Sequence, residues 1–127
     1  MSKIYVICPV RDCPEEIKKF LDEYVDQLES KGNIVHYPPR DVVQTQSGLN
    51  ICSEHAQFMS VANEVHIYWD PESGGSVFDL GMAFLKLHNS VDFKFVIINK
   101  DYIKRTPNKS FTNMLLDIVE LNQKGKK

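Results

Sequence analysis

Apolar and polar positions alternate along the chain in two periods. Ile4-Tyr5-Val6-Ile7-Cys8 is short, β-branched and almost wholly apolar, which predicts a strand covered on both faces, ended by Pro9. Asp12-Cys13-Pro14-Glu15 has the spacing of a capping box with Asp12 as N-cap. Ile17, Phe20, Leu21, Tyr24, Val25 and Leu28 then form one apolar stripe at helical spacing, closed by Gly32. Ile34 to Tyr37 predicts a second strand stopped by Pro38-Pro39, and residues 40–49 are polar and aperiodic, as in a long loop. Ile51, His55, Phe58, Met59 and Ala62 mark a second helix, and Glu64 to Trp69 a third strand ending at Asp70-Pro71. Ser73-Gly74-Gly75-Ser76 reads as a turn with Ser76 as N-cap of a third helix carrying Val77, Leu80, Ala83, Phe84 and Leu87. Phe93 to Ile98 predicts a fourth strand, and Met114, Leu115, Ile118, Val119 and Leu121 a terminal helix.

Strands that alternate with helices pair in parallel through right-handed crossovers. The expected fold is a single α/β domain over residues 1–127, a flavodoxin-like three-layer sandwich with a parallel sheet of four to five strands. A 2-1-3-4 strand order sets the loops Pro9 to Cys13 and Asp70 to Ser76 side by side at the carboxyl ends of the strands, where such folds bind ligands.

Composition narrows the class of ligand. The 127 residues carry 15 Lys and Arg against 17 Asp and Glu, 43% of them are hydrophobic, and the net charge is −2, which gives no case for nucleic acid. Residues 1–85 hold 6 basic and 13 acidic side chains and residues 86–127 hold 9 and 4, so the second half is mildly basic. Lys124-Gly125-Lys126-Lys127 reads as a flexible basic tail. Cys8, Cys13 and Cys52 form no C-x-x-C, and no run is long enough for a secretory signal or a membrane span. A cytoplasmic protein with free thiols is expected.

Within the two loops, Ser73-Gly74-Gly75-Ser76 is either a tight turn or a backbone cradle for an anion at a helix start, and it is neither a P-loop nor G-x-G-x-x-G. Asp79 is either part of a Ser-x-x-Asp capping box or a carboxylate aimed at the strand ends. His55 is a packed histidine or a polar group under a ligand, and Trp69 a core residue or a stacking surface. Arg11 and Arg40 border the expected cleft as surface residues or anion ligands. Cys13 at a helix start has the setting for a lowered pKa. No His, Cys or Asp cluster has metal-ligand spacing, so neither metal nor cofactor is expected.

Asp70-Pro71-Glu72-Ser73-Gly74-Gly75-Ser76-Val77-Phe78-Asp79-Leu80-Gly81-Met82-Ala83 resembles the signature of the nucleoside 2-deoxyribosyltransferase superfamily, which includes the 2′-deoxynucleoside 5′-phosphate N-hydrolases. Ile4 to Val10 is similar to that family's first strand, and the likeness extends over most of residues 3–99. The resemblance implies that Asp79 attacks C1′ of a nucleoside or nucleotide and displaces the base. Water or a second base then completes a hydrolysis or a transfer, chemistry suited to an oxocarbenium-like transition state. It implies that Tyr5 orients Asp79, that Ser73, Gly75 and Ser76 bind a 5′-phosphate, and that Cys8, Pro9, Arg11, His55, Trp69 and Asp70 line the substrate site. Asp79 stands where the family has glutamate, His55 where it has an acidic residue, Asn63 where it has aspartate, and Cys8 where it has glycine.

Two other classes share the fold. A nucleotide- or ADP-ribose-type sensor would keep the cleft without turnover. A receiver-like domain would use Asp12, Asp70 and Lys100, although the paired acidic residues after the first strand are missing. The resemblance also implies a homodimer that completes its site across subunits.

Overall fold

The computed structural model describes residues 2–90 and 92–124, so Gly125, Lys126 and Lys127 of the expected tail lie outside the described residues. Its strands are β1 (Lys3–Ile7), β2 (Ile34–His36), β3 (Glu64–Ile67) and β4 (Lys94–Ile97). Its helices are α1 (Glu15–Ser30), α2 (Pro38–Asp41), α3 (Gly48–Val61), α4 (Gly74–Asn89) and α5 (Phe111–Lys124), with a 3-10 turn at Lys100–Tyr102. The described strands form one sheet in the order β2-β1-β3-β4, and every pairing is parallel. This is the expected α/β sandwich with four strands.

The period-2 alternation of β1 builds two cores from one strand. Ile4, Val6 and Cys8 face α1 and pack with Leu21, Val25, Val35 and Tyr37. Tyr5 and Ile7 face the other way, into a larger core with Met59, Ile67, Leu80, Phe95 and Leu115 from α3, β3, α4, β4 and α5. Thus α1 covers one face of the sheet while α3, α4 and α5 cover the other. Among the described residues, no helix is long and apolar enough to cross a membrane.

Helix ends account for most differences from expectation. Asp12 is not the N-cap of α1: Pro14 holds that position with no side-chain cap, Glu15 and Glu16 complement the first turn, and Asp12 sits at φ 57 at the tip of the β1–α1 loop. Short polar side chains tolerate that left-handed region better than others. At the other end, Gly32 adopts φ 91, and the amides of Gly32 and Asn33 return to the carbonyls of Glu29 and Leu28, a Schellman closure. The prolines after β2 do more than stop a strand. They open α2, because a proline in the first turn forfeits no helical hydrogen bond. The expected 40–49 loop is correspondingly shorter, since α3 begins at Gly48, capped by Ser47, whose Oγ accepts from the Asn50 amide at 3.2 Å. Finally, the N-cap of α4 is Ser73, whose Oγ accepts from the Ser76 amide at 3.3 Å, so Gly74, Gly75 and Ser76 already belong to the helix.

Candidate functional site

That shift of α4 sets the position of the central carboxylate. With the helix beginning at Gly74, Asp79 lies in its second turn and is no partner in a capping box. Ser76, Asp79, Leu80 and Ala83 form the buried stripe of the helix, and Asp79 is the charged member. A carboxylate in such a place must be hydrogen-bonded. The Tyr5 hydroxyl, on a fully buried residue at the middle of β1, donates to Asp79 Oδ2 at 2.9 Å. His55, reaching across from α3, donates from Nδ1 to Asp79 Oδ1 at 3.2 Å. Burial first, and the adjacent Asp79 charge second, push the Tyr5 phenol far above its ordinary value, so it stays a donor.

Asp79 opens onto a cavity of about 1050 Å³ at the carboxyl ends of β1 and β3. The two loops singled out by the 2-1-3-4 order meet here. Cys8, Pro9 and Arg11 line one wall, Asp70, Ser73 and Gly75 another, and His55 joins Asp79 at the base. A Cβ placed on Gly74 or Gly75 would meet nothing within 4 Å, so this backbone is open to a ligand. Tyr5 and Ser76 lie outside the lining, and Ser76 is buried with its Oγ unpartnered among the described residues. The walls also hold Gln44 and Ile51, which sequence reasoning did not place there, and Asp12 and Glu72, which belong to the two loops expected there but were not named as residues of a nucleoside site. For Glu72 a signal existed, its position directly before Ser73. Gln44 had none, because only the path of the 42–47 segment brings it in.

Trp69 takes the core position. It is buried, and its indole Nε1–H donates to Thr112 Oγ1 at 2.9 Å, while Asn99 clamps its backbone from both sides. It lines an adjoining recess of about 260 Å³, which shares Pro9, Arg11, Asp12 and Asp70 with the large cavity, and not the large cavity itself. Arg40 is also elsewhere, held in a bidentate pair with Glu29 at 2.9 and 3.0 Å and bonded to Asp41 at 2.7 Å. The expected low pKa at Cys13 is reversed: partial burial, then the nearby Glu15 carboxylate, raise it. Cys8 is raised further, to about 12, chiefly by burial. Of the receiver-like set, Asp12 and Asp70 share the cavity, and Lys100 does not line it.

Behind Asp79 stands a group that the sequence did not suggest. His36, from the end of β2, stacks on Phe58 at 4.5 Å and lies 6.0 Å from His55 and 5.1 Å from Tyr5, ring centre to ring centre. Burial lowers its pKa, against the smaller opposing pull of Asp41. His36 Nε2 and His55 Nε2 are buried without a hydrogen-bond partner among the described residues. No group of three or more metal-ligating side chains comes together among those residues.

Fold and geometry together define a flavodoxin-like α/β domain whose strand-end cavity is centred on one buried, two-point-anchored carboxylate. No protein-family model matches the chain, and no curated protein matches its sequence.

Proposed function

We propose that this protein breaks the N-glycosidic bond of a nucleoside or nucleotide, by hydrolysis or by transfer of the sugar to a second base, with Asp79 as the nucleophile. One observation carries this reading: both Asp79 oxygens are anchored, by Tyr5 and His55, while the residue still borders a cavity large enough for a nucleoside. An anchored anion at C1′ stabilises the positive charge that builds there as the base departs, and needs no reorganisation to do so. Tyr5 fixes the carboxylate's rotation. Ser73 and Gly75 face the same space and would hold the sugar's 5′ end. The resemblance of residues 70–83 to the nucleoside 2-deoxyribosyltransferase signature points to the same chemistry.

A second reading rests on the shortness of Asp79. Already bonded to two neighbours, it has one methylene less than the glutamate of the resembled family, and such a carboxylate suits holding sugar hydroxyls in a non-catalytic nucleotide sensor. Incubation with a panel of nucleosides and 5′-monophosphates, with free base followed by chromatography, separates the two. Base release that is lost in Asp79→Ala supports the enzyme. Saturable binding without release supports the sensor.

We also propose a homodimer. Leu49, Phe78 and Leu85 stand exposed on α3 and α4, and a second copy would cover that apolar face. Light scattering of the purified protein would show twice the chain mass. Free thiols at Cys8, Cys13 and Cys52 suit a reducing compartment such as the cytoplasm.

A further inference from the structure

Cleaving a bond between C1′ and a neutral base leaves the electron pair on the base nitrogen, and that nitrogen must be protonated as it leaves. Among the described residues, the cavity offers nothing suited to protonate it. His55 Nδ1 is engaged by Asp79, and His55 Nε2 has no exposed surface, so neither nitrogen meets a ligand. The Cys8 thiol, with its pKa near 12, is too weak an acid, and both amide protons of Gln44 go to the carbonyls of Pro38 and Val42. Asp12 and Glu72 are exposed and Asp70 is half-buried. A carboxylic general acid working at neutral pH sits in a dry, apolar pocket, and none of these three side chains lies in one.

The charge of the cavity adds an independent constraint. Asp12, Asp70, Glu72 and Asp79 line it, and Arg11 is the one Lys or Arg among the described lining residues. A concave wall with this excess of carboxylates concentrates cations and repels anions. The start of α4 does not reverse the balance. Ser73 Oγ already accepts the Ser76 amide of the helix's first turn, and in the turn before the helix Asp70 Oδ1 accepts the Glu72 amide at 3.0 Å, so side chains of the protein take up one helical donor and one loop donor.

We infer that the preferred substrate is an uncharged-sugar nucleoside whose base is already cationic at the glycosidic nitrogen or in its ring, a pyridinium nucleoside or an N7-alkylated purine nucleoside. This rests on the N-glycosidic reading above and goes beyond it. An Asp79 oxygen bonds to C1′ as the C1′–N bond breaks, and the electron pair of that bond neutralises the cation. The base leaves uncharged, with no proton supplied. Water then attacks C1′ of the glycosyl ester, one proton passes to solvent, and the free sugar and the Asp79 carboxylate are regenerated. The carboxylate wall draws the cation in, and a 5′-phosphate works against binding.

The test uses the full chain with nicotinamide riboside, 7-methylguanosine, guanosine, 2′-deoxyguanosine and nicotinamide riboside 5′-phosphate. Cationic nucleosides are intrinsically labile, so each kcat/KM is divided by the spontaneous hydrolysis rate of the same compound. The two cationic nucleosides are expected to exceed the neutral ones at least ~10-fold on that scale, with release abolished in Asp79→Asn. Added 5′-phosphate should lower kcat/KM about 10-fold, and rising salt should raise KM for the cationic substrates. Glu72→Gln should raise the same KM severalfold. Asp79-dependent release from neutral nucleosides at an equal or greater enhancement would overturn the inference and leave the N-glycosidic reading standing. Absence of Asp79-dependent release from all five compounds would overturn both.

Discussion

A tyrosine, a histidine and a carboxylate meet twice in this molecule, on opposite faces of the same sheet. On the α3–α4 face they are Tyr5, His55 and Asp79. On the α1 face they are Tyr24, His66 and Glu64: the Tyr24 hydroxyl lies 2.6 Å from His66 Nδ1, and His66 Nε2 lies 2.9 Å from Glu64 Oε1. In the second group the carboxylate accepts from Nε2, so Nδ1 accepts from the phenol, and both ring nitrogens are satisfied. The first group is less complete, with His55 Nε2, the neighbouring His36 Nε2 and Ser76 Oγ all unpartnered among the described residues. Position differs too. Glu64 opens β3, at the amino edge of the sheet, whereas Asp79 faces the cavity at the carboxyl edge. The same three residue types therefore make a tether in one place and a poised carboxylate in the other. Satisfaction and access separate them, and composition does not.

The two sites should differ most sharply when their carboxylates are exchanged for amides. Asp79→Asn is expected to lower base release about 1000-fold, whereas Glu64→Gln leaves it within roughly twofold, both read as kcat/KM. The phenols give a smaller contrast. Tyr5→Phe should cost on the order of 100-fold in kcat with KM little changed, because it frees the rotation of Asp79. Tyr24→Phe should leave kcat alone and lower unfolding stability by about 1 kcal/mol in urea. Acid should loosen both faces. Burial lowers the pKa of His36 and of His66 below the usual 6.5, so below that pH the unfolded chain binds more protons than the folded one. Stability is then complete above pH 6.5 and falls as pH drops through the folded values, seen as a lower Tm at pH 5.5 than at pH 7.5. His36→Phe should remove part of that loss. The smallest effects are at helix ends: Ser73→Ala and Gly32→Ala should each cost about 1 kcal/mol, the first through a lost cap and the second through a strained φ.

The elements of the fold were legible because each is specified by its own residues. The stripe from Ile17 to Leu28 and the run from Ile4 to Cys8 state their periods locally, and parallel order follows from alternation. Helix starts were less legible where two candidate residues compete. Ser73 and Ser76 stand three apart and either can cap, and the choice moved Asp79 by a turn. The two-point anchoring of Asp79 needed the resemblance for Tyr5 and the structure for His55, since the partners come from β1 and α3, 74 and 24 residues away. His36 escaped notice for the same reason: its neighbours Tyr5, His55 and Phe58 belong to other elements. Trp69 ends a strand in a way that suits a core or a binding surface equally, and only Thr112, from α5, decides between them.

In the proposed reaction Asp79 becomes covalently bonded to C1′. A 2-deoxy-2-fluoro nucleoside slows formation of the oxocarbenium-like transition state and hydrolysis of the ester, so acid quenching after incubation, digestion and peptide mass analysis can capture the adduct. One glycosyl group is expected on the peptide carrying Asp79, none on the peptide carrying Glu64, and none in Asp79→Asn. Base release with the unmodified peptide throughout, or with the sugar on another residue, would contradict this expectation.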